Sequence, residues 1–133
     1  MNTRLPGAVL AAVLTAQPAW AQPRQPGPHY PPALRGAWMA GDHPGCRAAE
    51  VPRNASDLRI GARHSQTLEA RHTLVQLRRT AARRWQALER IEDGVRPAST
   101  QTVAMRLSDD GKNLTRTGSG ETTQSTEHYT RCR

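Results

Sequence analysis

Apolar and polar residues alternate most regularly in the C-terminal third of the chain. Within Thr100–Leu107 the alternation predicts a strand with one buried face. The turn sequence Asp109–Lys112 follows, and Asn113–Thr117 predicts the returning strand of a hairpin. A Thr-rich segment, Thr122–Cys132, predicts a last antiparallel strand in which Tyr129 faces inward. Three successive antiparallel strands are therefore expected here.

Two shorter strands are predicted nearer the N-terminus. Leu34–Ala40 has the pattern of a strand with Trp38 facing inward, and a stretch rich in Gly and Pro ends it. Asp57–Gly61 also alternates, so that Leu58 and Ile60 share its inner face.

The middle of the chain has two interpretations. Between Gln66 and Asp93 there is no Gly or Pro, and apolar residues recur at spacings of three and four, which favours an amphipathic helix. The same stretch can form two strands, Thr73–Leu77 and Trp85–Ile91, although Leu74 and Leu88 then fall on the wrong face. Periodicity by itself favours the helix and leaves both possibilities open.

The first 21 residues have the three parts of an export signal. A basic start at Arg4 precedes an apolar run over residues 8–16, and small residues at Ala19 and Ala21 form the cleavage site. We expect cleavage after Ala21 and a periplasmic or secreted product. No later stretch is apolar enough for a membrane span.

The exported part is one domain with a thin core. Residues 22–33 are rich in proline and predict a flexible lead-in, so the folded domain is expected over residues 34–133. The chain contains no Phe and only 4% aromatic residues. In an oxidising compartment its two cysteines, Cys46 and Cys132, predict one structural disulfide that would add stability to so small a core.

Several short motifs together resemble a group of small exported bacterial proteins with lipocalin-like barrels and mostly unassigned function. These motifs are Gly36–Trp38, Cys46, Leu58–Ile60, Asp110–Gly111 with Leu114, and Tyr129–Cys132. The resemblance implies an all-β, up-and-down antiparallel barrel closed by the disulfide, with the last strand beside the first. An antiparallel sheet packed on one helix over residues 66–92 is the alternative α+β fold.

The charge of the chain is strongly basic, at +8, and Lys112 is its only lysine. Four arginines cluster in the middle of the sequence and predict a surface for an anionic ligand such as phosphate, sulfate, an acidic protein face or lipid A phosphates: Arg78, Arg79, Arg83 and Arg84. Nucleic acid is not an expected partner, since an exported protein seldom meets it.

No sequence pattern points to catalysis, a cofactor or a metal. The histidines lack zinc-site spacing, and Gly118–Gly120 lacks the spacing of a nucleophile elbow. Trp38, Trp85 and Tyr129 are interpreted as core or pocket anchors. The sequence thus predicts a non-catalytic exported module that binds a ligand or an envelope component. The alternatives are an interaction protein, such as an inhibitor of a secreted enzyme, and a small hydrolase.

Overall fold

The protein is an eight-stranded antiparallel barrel in a computed structural model that describes residues 27–119 and 124–133. Each strand pairs with the next along the chain, and β8 pairs with β1 to close the barrel. The strands are β1 Gly36–Ala40, β2 Leu58–Ile60, β3 His64–Gln66, β4 Arg71–Ala81, β5 Arg84–Glu92, β6 Ser99–Leu107, β7 Asn113–Ser119 and β8 Gln124–Cys132. The all-β prediction is confirmed, whereas the predicted signal peptide and its cleavage site lie outside the described residues.

A bulge in β4 explains why the middle of the sequence resembles a helix. The pairing of β4 with β5 shifts between Leu74 and Gln76, which leaves Val75 half exposed. Because a bulge adds one residue to a strand, Leu74 and Leu77 both face the interior although they are three residues apart. The strand interpretation placed both Leu74 and Leu88 on the outer face, and of these two only Leu88 lies there. The helix over residues 66–92 is not formed.

The barrel has a closed end, where the β4–β5 and β6–β7 connections and the N-terminal segment meet. The backbone turns through a short 3-10 segment, Pro32–Leu34, and buries Leu34 beneath Trp38, whose indole N–H donates to the Leu34 carbonyl at 2.9 Å. The Arg131 guanidinium lies 4.2 Å from the centre of the Trp38 ring and donates to the carbonyls of Gly111 and Arg35, each at 2.8 Å. Arg131 therefore ties three segments together over the closed end.

The described fold begins earlier than the predicted start at Leu34. Tyr30 is fully buried, and its backbone N–H donates to the Ala62 carbonyl at 2.8 Å. The proline-rich composition of the segment did not indicate this role, because the role depends on a single aromatic residue. The segment predicted as a flexible lead-in thus contributes a core residue.

The predicted disulfide joins Cys46 to Cys132. The loop after β1 folds back along the outside of the barrel, where Cys132 is paired with Ala37. Beneath this loop lies a second, small core on the outer wall, made of Ala37, Met39, Cys46, Val51 and Cys132. The disulfide therefore fastens an external loop as well as the last strand. None of the described residues forms a helix that is long and apolar enough to cross a membrane.

Candidate functional site

Polar side chains occupy the barrel interior toward the end opposite the closed one, which we call the open end. Apolar residues fill the inward positions near the closed end, among them Leu58, Met105 and Leu114. Along the same strands, the inward positions closer to the open end are held by Ser65, His72, Glu89, Gln101 and Arg116. The interior therefore changes from an apolar core to a polar layer.

Glu89 lies at the centre of this layer and is fully buried. The Tyr30 hydroxyl donates to Oε1 at 2.5 Å, and Arg116 Nη2 donates to Oε2 at 2.7 Å. His72 Nδ1 and Gln101 Nε2 reach the same Oε2 at 3.2 and 3.3 Å. Four donors from four separate segments therefore converge on one carboxylate.

The network keeps Glu89 ionised despite its burial. Burial alone would raise the pKa of this carboxyl, but the Arg116 charge and the hydrogen bonds from His72 and Tyr30 outweigh it and lower the pKa to about 2. Burial and the adjacent Glu89 charge raise the pKa of Tyr30, so its hydroxyl stays a neutral donor. Burial lowers the pKa of Arg116, but attraction to Glu89, Tyr129 and Tyr30 and the hydrogen bond to Glu89 together outweigh it, so the pKa is raised. Glu89 and Arg116 thus form a buried ion pair near neutral pH.

His72 has a defined orientation within the network. Since ionised Glu89 can only accept hydrogen bonds, His72 Nδ1 must carry the proton. In the neutral ring, Nε2 is then a hydrogen-bond acceptor. Within the described residues, the bond to Glu89 is the one side-chain hydrogen bond that His72 makes. Its second nitrogen is therefore free to meet a ligand.

A pocket of about 270 Å³ opens above this layer. Its floor includes His72, Gln101 and Arg116, and Glu69 and Glu127 lie at its rim. Tyr129 also lines the pocket, and its hydroxyl donates to Glu127. The remaining lining residues are Ala55, Ser56, Thr67, Val103, Gly118 and Ser125. The pocket thus connects Arg116, one partner of the buried ion pair, to solvent.

Two buried polar atoms of this region have no hydrogen-bond partner among the described residues: Arg116 Nε and Ser65 Oγ. Such atoms are uncommon in folded proteins because leaving a buried polar group unpaired costs about 1–3 kcal/mol. Arg116 is itself a lining residue of the pocket. The polar layer thus retains hydrogen-bonding capacity that the protein does not use internally.

The three predicted aromatic anchors do not act together. Trp38 is fully buried near the closed end, and Trp85 is partly buried against the same core. Neither tryptophan lines the pocket at the open end, whereas Tyr129 does. The tryptophans therefore fill the barrel, and Tyr129 alone belongs to both the core and the pocket.

The four clustered arginines lie around the β4–β5 connection at the closed end, as expected for a hairpin. All four are exposed. Arg78 donates to Gln86 Oε1 at 2.6 Å, and Arg83 donates to the Ser108 carbonyl at 3.1 Å. The cluster is therefore separated from the open-end pocket by the length of the barrel, and the two features are independent candidates for binding.

The network residues Tyr30, His72, Glu89, Gln101 and Arg116 were not predicted as site residues. A signal for two of them exists in the sequence, because Glu89 follows Ala87 and Arg116 follows Leu114 at the inward spacing of two. Opposite charges at inward positions of two strands are a sign of a buried pair. Tyr30 carries no comparable local signal.

Within the described residues there is no group of three or more His, Cys, Asp or Glu side chains arranged to hold a metal. Comparisons with protein-family models, with curated proteins and with solved structures found no match to this chain. The geometry of the pocket is therefore the basis for a functional hypothesis.

Proposed function

We propose that the protein is an exported, non-catalytic binding module whose small polar ligand occupies the pocket at the open end. The observation that carries this proposal is that Arg116, at the floor of an accessible pocket, is ion-paired with the fully buried Glu89. Apolar residues of similar volume are often at least as stabilising as a buried ion pair. The net stability of a small protein with a thin core is low. A role in ligand binding therefore accounts for an ion pair that apolar residues could replace without loss of stability.

The pocket presents mainly acceptors to a ligand, with Arg116 Nε as an unpaired donor among the described residues. In the neutral ring His72 Nε2 is an acceptor, and rim residues Glu69 and Glu127 carry carboxylates that form no ion pair among the described residues. Glu89 and Arg116 cancel each other's charge. The best match is a small molecule rich in hydrogen-bond donors, such as an amine or a polyol. The volume of about 270 Å³ lies just below the usual range for small-molecule sites, about 300–1,000 Å³, so the ligand must be small.

Backbone-amide NMR of the mature protein tests this proposal with a panel of small amines, polyols and carboxylates. We expect saturable shifts for amines or polyols at Gln101, Gly118 and Ser125, with carboxylates binding more weakly. His72→Phe should remove these shifts, whereas Gln86→Ala on the outer wall should retain them. Shifts that do not saturate, or that survive in His72→Phe, would reject the pocket as the site.

A small hydrolase is the second candidate, favoured by the buried histidine beside a carboxylate in a pocket. His72 and Glu89 are 3.2 Å apart, the arrangement that orients a general base. However, no Ser, Thr or Cys of the described residues hydrogen-bonds to His72 as a nucleophile would. Turnover of chromogenic esters that disappears in His72→Gln would establish this candidate in place of the binding module.

A further inference from the structure

The closed end of the barrel carries a second surface, which we call the arginine surface: Arg78, Arg79, Arg83, Arg84 and Arg106. The prediction from sequence included four of these residues, and pairing of β5 with β6 adds Arg106. In that pairing Arg84 and Arg106 are directly opposite each other, and both are exposed on the outer face. Like charges at such positions repel, because their Cβ atoms are about 5 Å apart.

Little negative charge compensates the arginine surface. Among the described residues, the one ion pair it makes joins Arg83 Nε to Asp109 Oδ1 at 3.7 Å, with Arg83 about half exposed and Asp109 fully exposed. Arg84 and Arg106 take part in no ion pair within the same residues. The surface therefore has unsatisfied positive charge that an external anion would neutralise.

Several of these side chains are held in place by the protein. Arg79 Nε donates to the Ala81 carbonyl at 3.3 Å, and the bonds of Arg78 and Arg83 described above fix two more. Arg83 also has a positive φ of 57°, in the left-handed region where Gly is favoured. An arginine at a position that suits glycine indicates that its side chain contributes something beyond forming the turn.

We propose that the arginine surface docks the protein on a bilayer that displays anionic phospholipid headgroups, with Arg84 and Arg106 beside headgroup phosphates. Guanidinium groups match phosphate oxygens in shape and charge. A disulfide-bonded protein fits a periplasmic or extracellular location, where such bilayers are the extended anionic surfaces it meets. In this orientation the open end faces away from the membrane, so the pocket stays accessible.

Sedimentation with vesicles tests the docking surface. Vesicles of phosphatidylglycerol and phosphatidylcholine should bind the protein at low ionic strength and release it at high ionic strength, and vesicles of phosphatidylcholine alone should not bind. Each basic residue near an anionic bilayer contributes about fivefold to partitioning. The combined variant Arg78→Gln, Arg79→Gln, Arg83→Gln and Arg84→Gln should therefore lose measurable binding.

A control variant removes the same charge from elsewhere on the barrel: Arg53→Gln, Arg71→Gln, Arg90→Gln and Arg96→Gln. It should retain most of the binding, and equal losses in both variants would overturn the proposal in favour of a general effect of net charge. Inorganic phosphate should release the protein no better than chloride at equal ionic strength. Stronger release by phosphate would show a discrete phosphate site instead of a membrane surface.

A single substitution separates docking from folding. Arg83→Gly relieves the left-handed backbone conformation, so its thermal midpoint should not fall. Its partitioning onto anionic vesicles should nevertheless drop about fivefold. Undiminished vesicle binding by Arg83→Gly, together with undiminished binding by the fourfold variant, would exclude the arginine surface.

Discussion

The two ends of this barrel have opposite chemistry inside and outside. At the closed end the interior is apolar and sealed by Trp38 and Arg131, while the outer surface is crowded with arginines. At the open end the interior holds a buried ion pair, and carboxylates lie at the rim. The comparison indicates that the closed end stabilises the fold, whereas the polar pocket at the open end lowers the stability of the fold.

The largest effect is expected from removing the disulfide near the closed end. Joining residues 86 positions apart restricts the unfolded chain by about 4–5 kcal/mol in the loop-closure model. That is close to the entire stability of a small domain. We expect Cys46→Ser with Cys132→Ser to be largely unfolded at 37 °C by circular dichroism. An unchanged thermal midpoint would show that the disulfide contributes little to stability.

The next largest effect is expected from breaking the ion pair at the open end. Arg116→Met leaves Glu89 buried without its counter-charge, which should lower the free energy of unfolding by about 3–5 kcal/mol in urea. The matched control is Arg106→Met, an exposed arginine on the neighbouring strand, which should change stability by less than about 0.5 kcal/mol. Similar losses in the two variants would show that burial of the pair is unimportant.

Acid should weaken the open end through Glu89. The pKa of this carboxyl falls from 4.5 to about 2 on folding, so its contribution is complete above pH 4.5 and is lost as the pH falls toward 2. The contribution is about 3 kcal/mol. Urea unfolding at several pH values should show a steeper decline for the wild type than for Glu89→Gln. Parallel curves for the two proteins would mean that Glu89 is not preferentially ionised in the folded state.

A smaller effect is expected from removing the contacts of Arg131 at the closed end. Arg131→Met removes the contact with the Trp38 ring and the hydrogen bonds to backbone carbonyls, a loss of about 1–2 kcal/mol. Arg133→Met, two residues away and exposed, is the control and should have little effect. Tryptophan fluorescence should shift toward that of a solvated indole in the first variant alone.

The two ends also differ in how far the sequence predicts them. Alternation in Thr100–Leu107 and the turn after it identified the β6–β7 hairpin, because one face of each strand is buried and the other faces solvent. The bulge at Val75 hid the two-residue alternation of β4, since an inserted residue converts a spacing of two into one of three. The lipocalin-like resemblance, rather than the hydrophobic pattern, favoured strands there.

Local patterns indicate which residues of the polar layer face inward but not that they meet. Glu89 and Arg116 are 27 residues apart, and Tyr30 and Glu89 are 59 apart, so only the pairing of successive strands and the packing of the N-terminal segment bring them together. A charged residue in a strand is normally assigned to the solvent face. Local spacing assigns Glu89 and Arg116 to inward positions, but predicting that they meet requires the register of β5, β6 and β7, which no single segment specifies.

The most direct test of a polar layer kept for binding is to replace it with apolar residues. The combined variant Tyr30→Phe, His72→Leu, Glu89→Met and Arg116→Met removes the buried charges and the hydrogen-bonding groups of these four residues together. Its free energy of unfolding should equal or exceed that of the wild type, because packed apolar residues replace a buried ion pair without loss. A destabilisation as large as that of Arg116→Met alone would show instead that the layer exists to hold the barrel together.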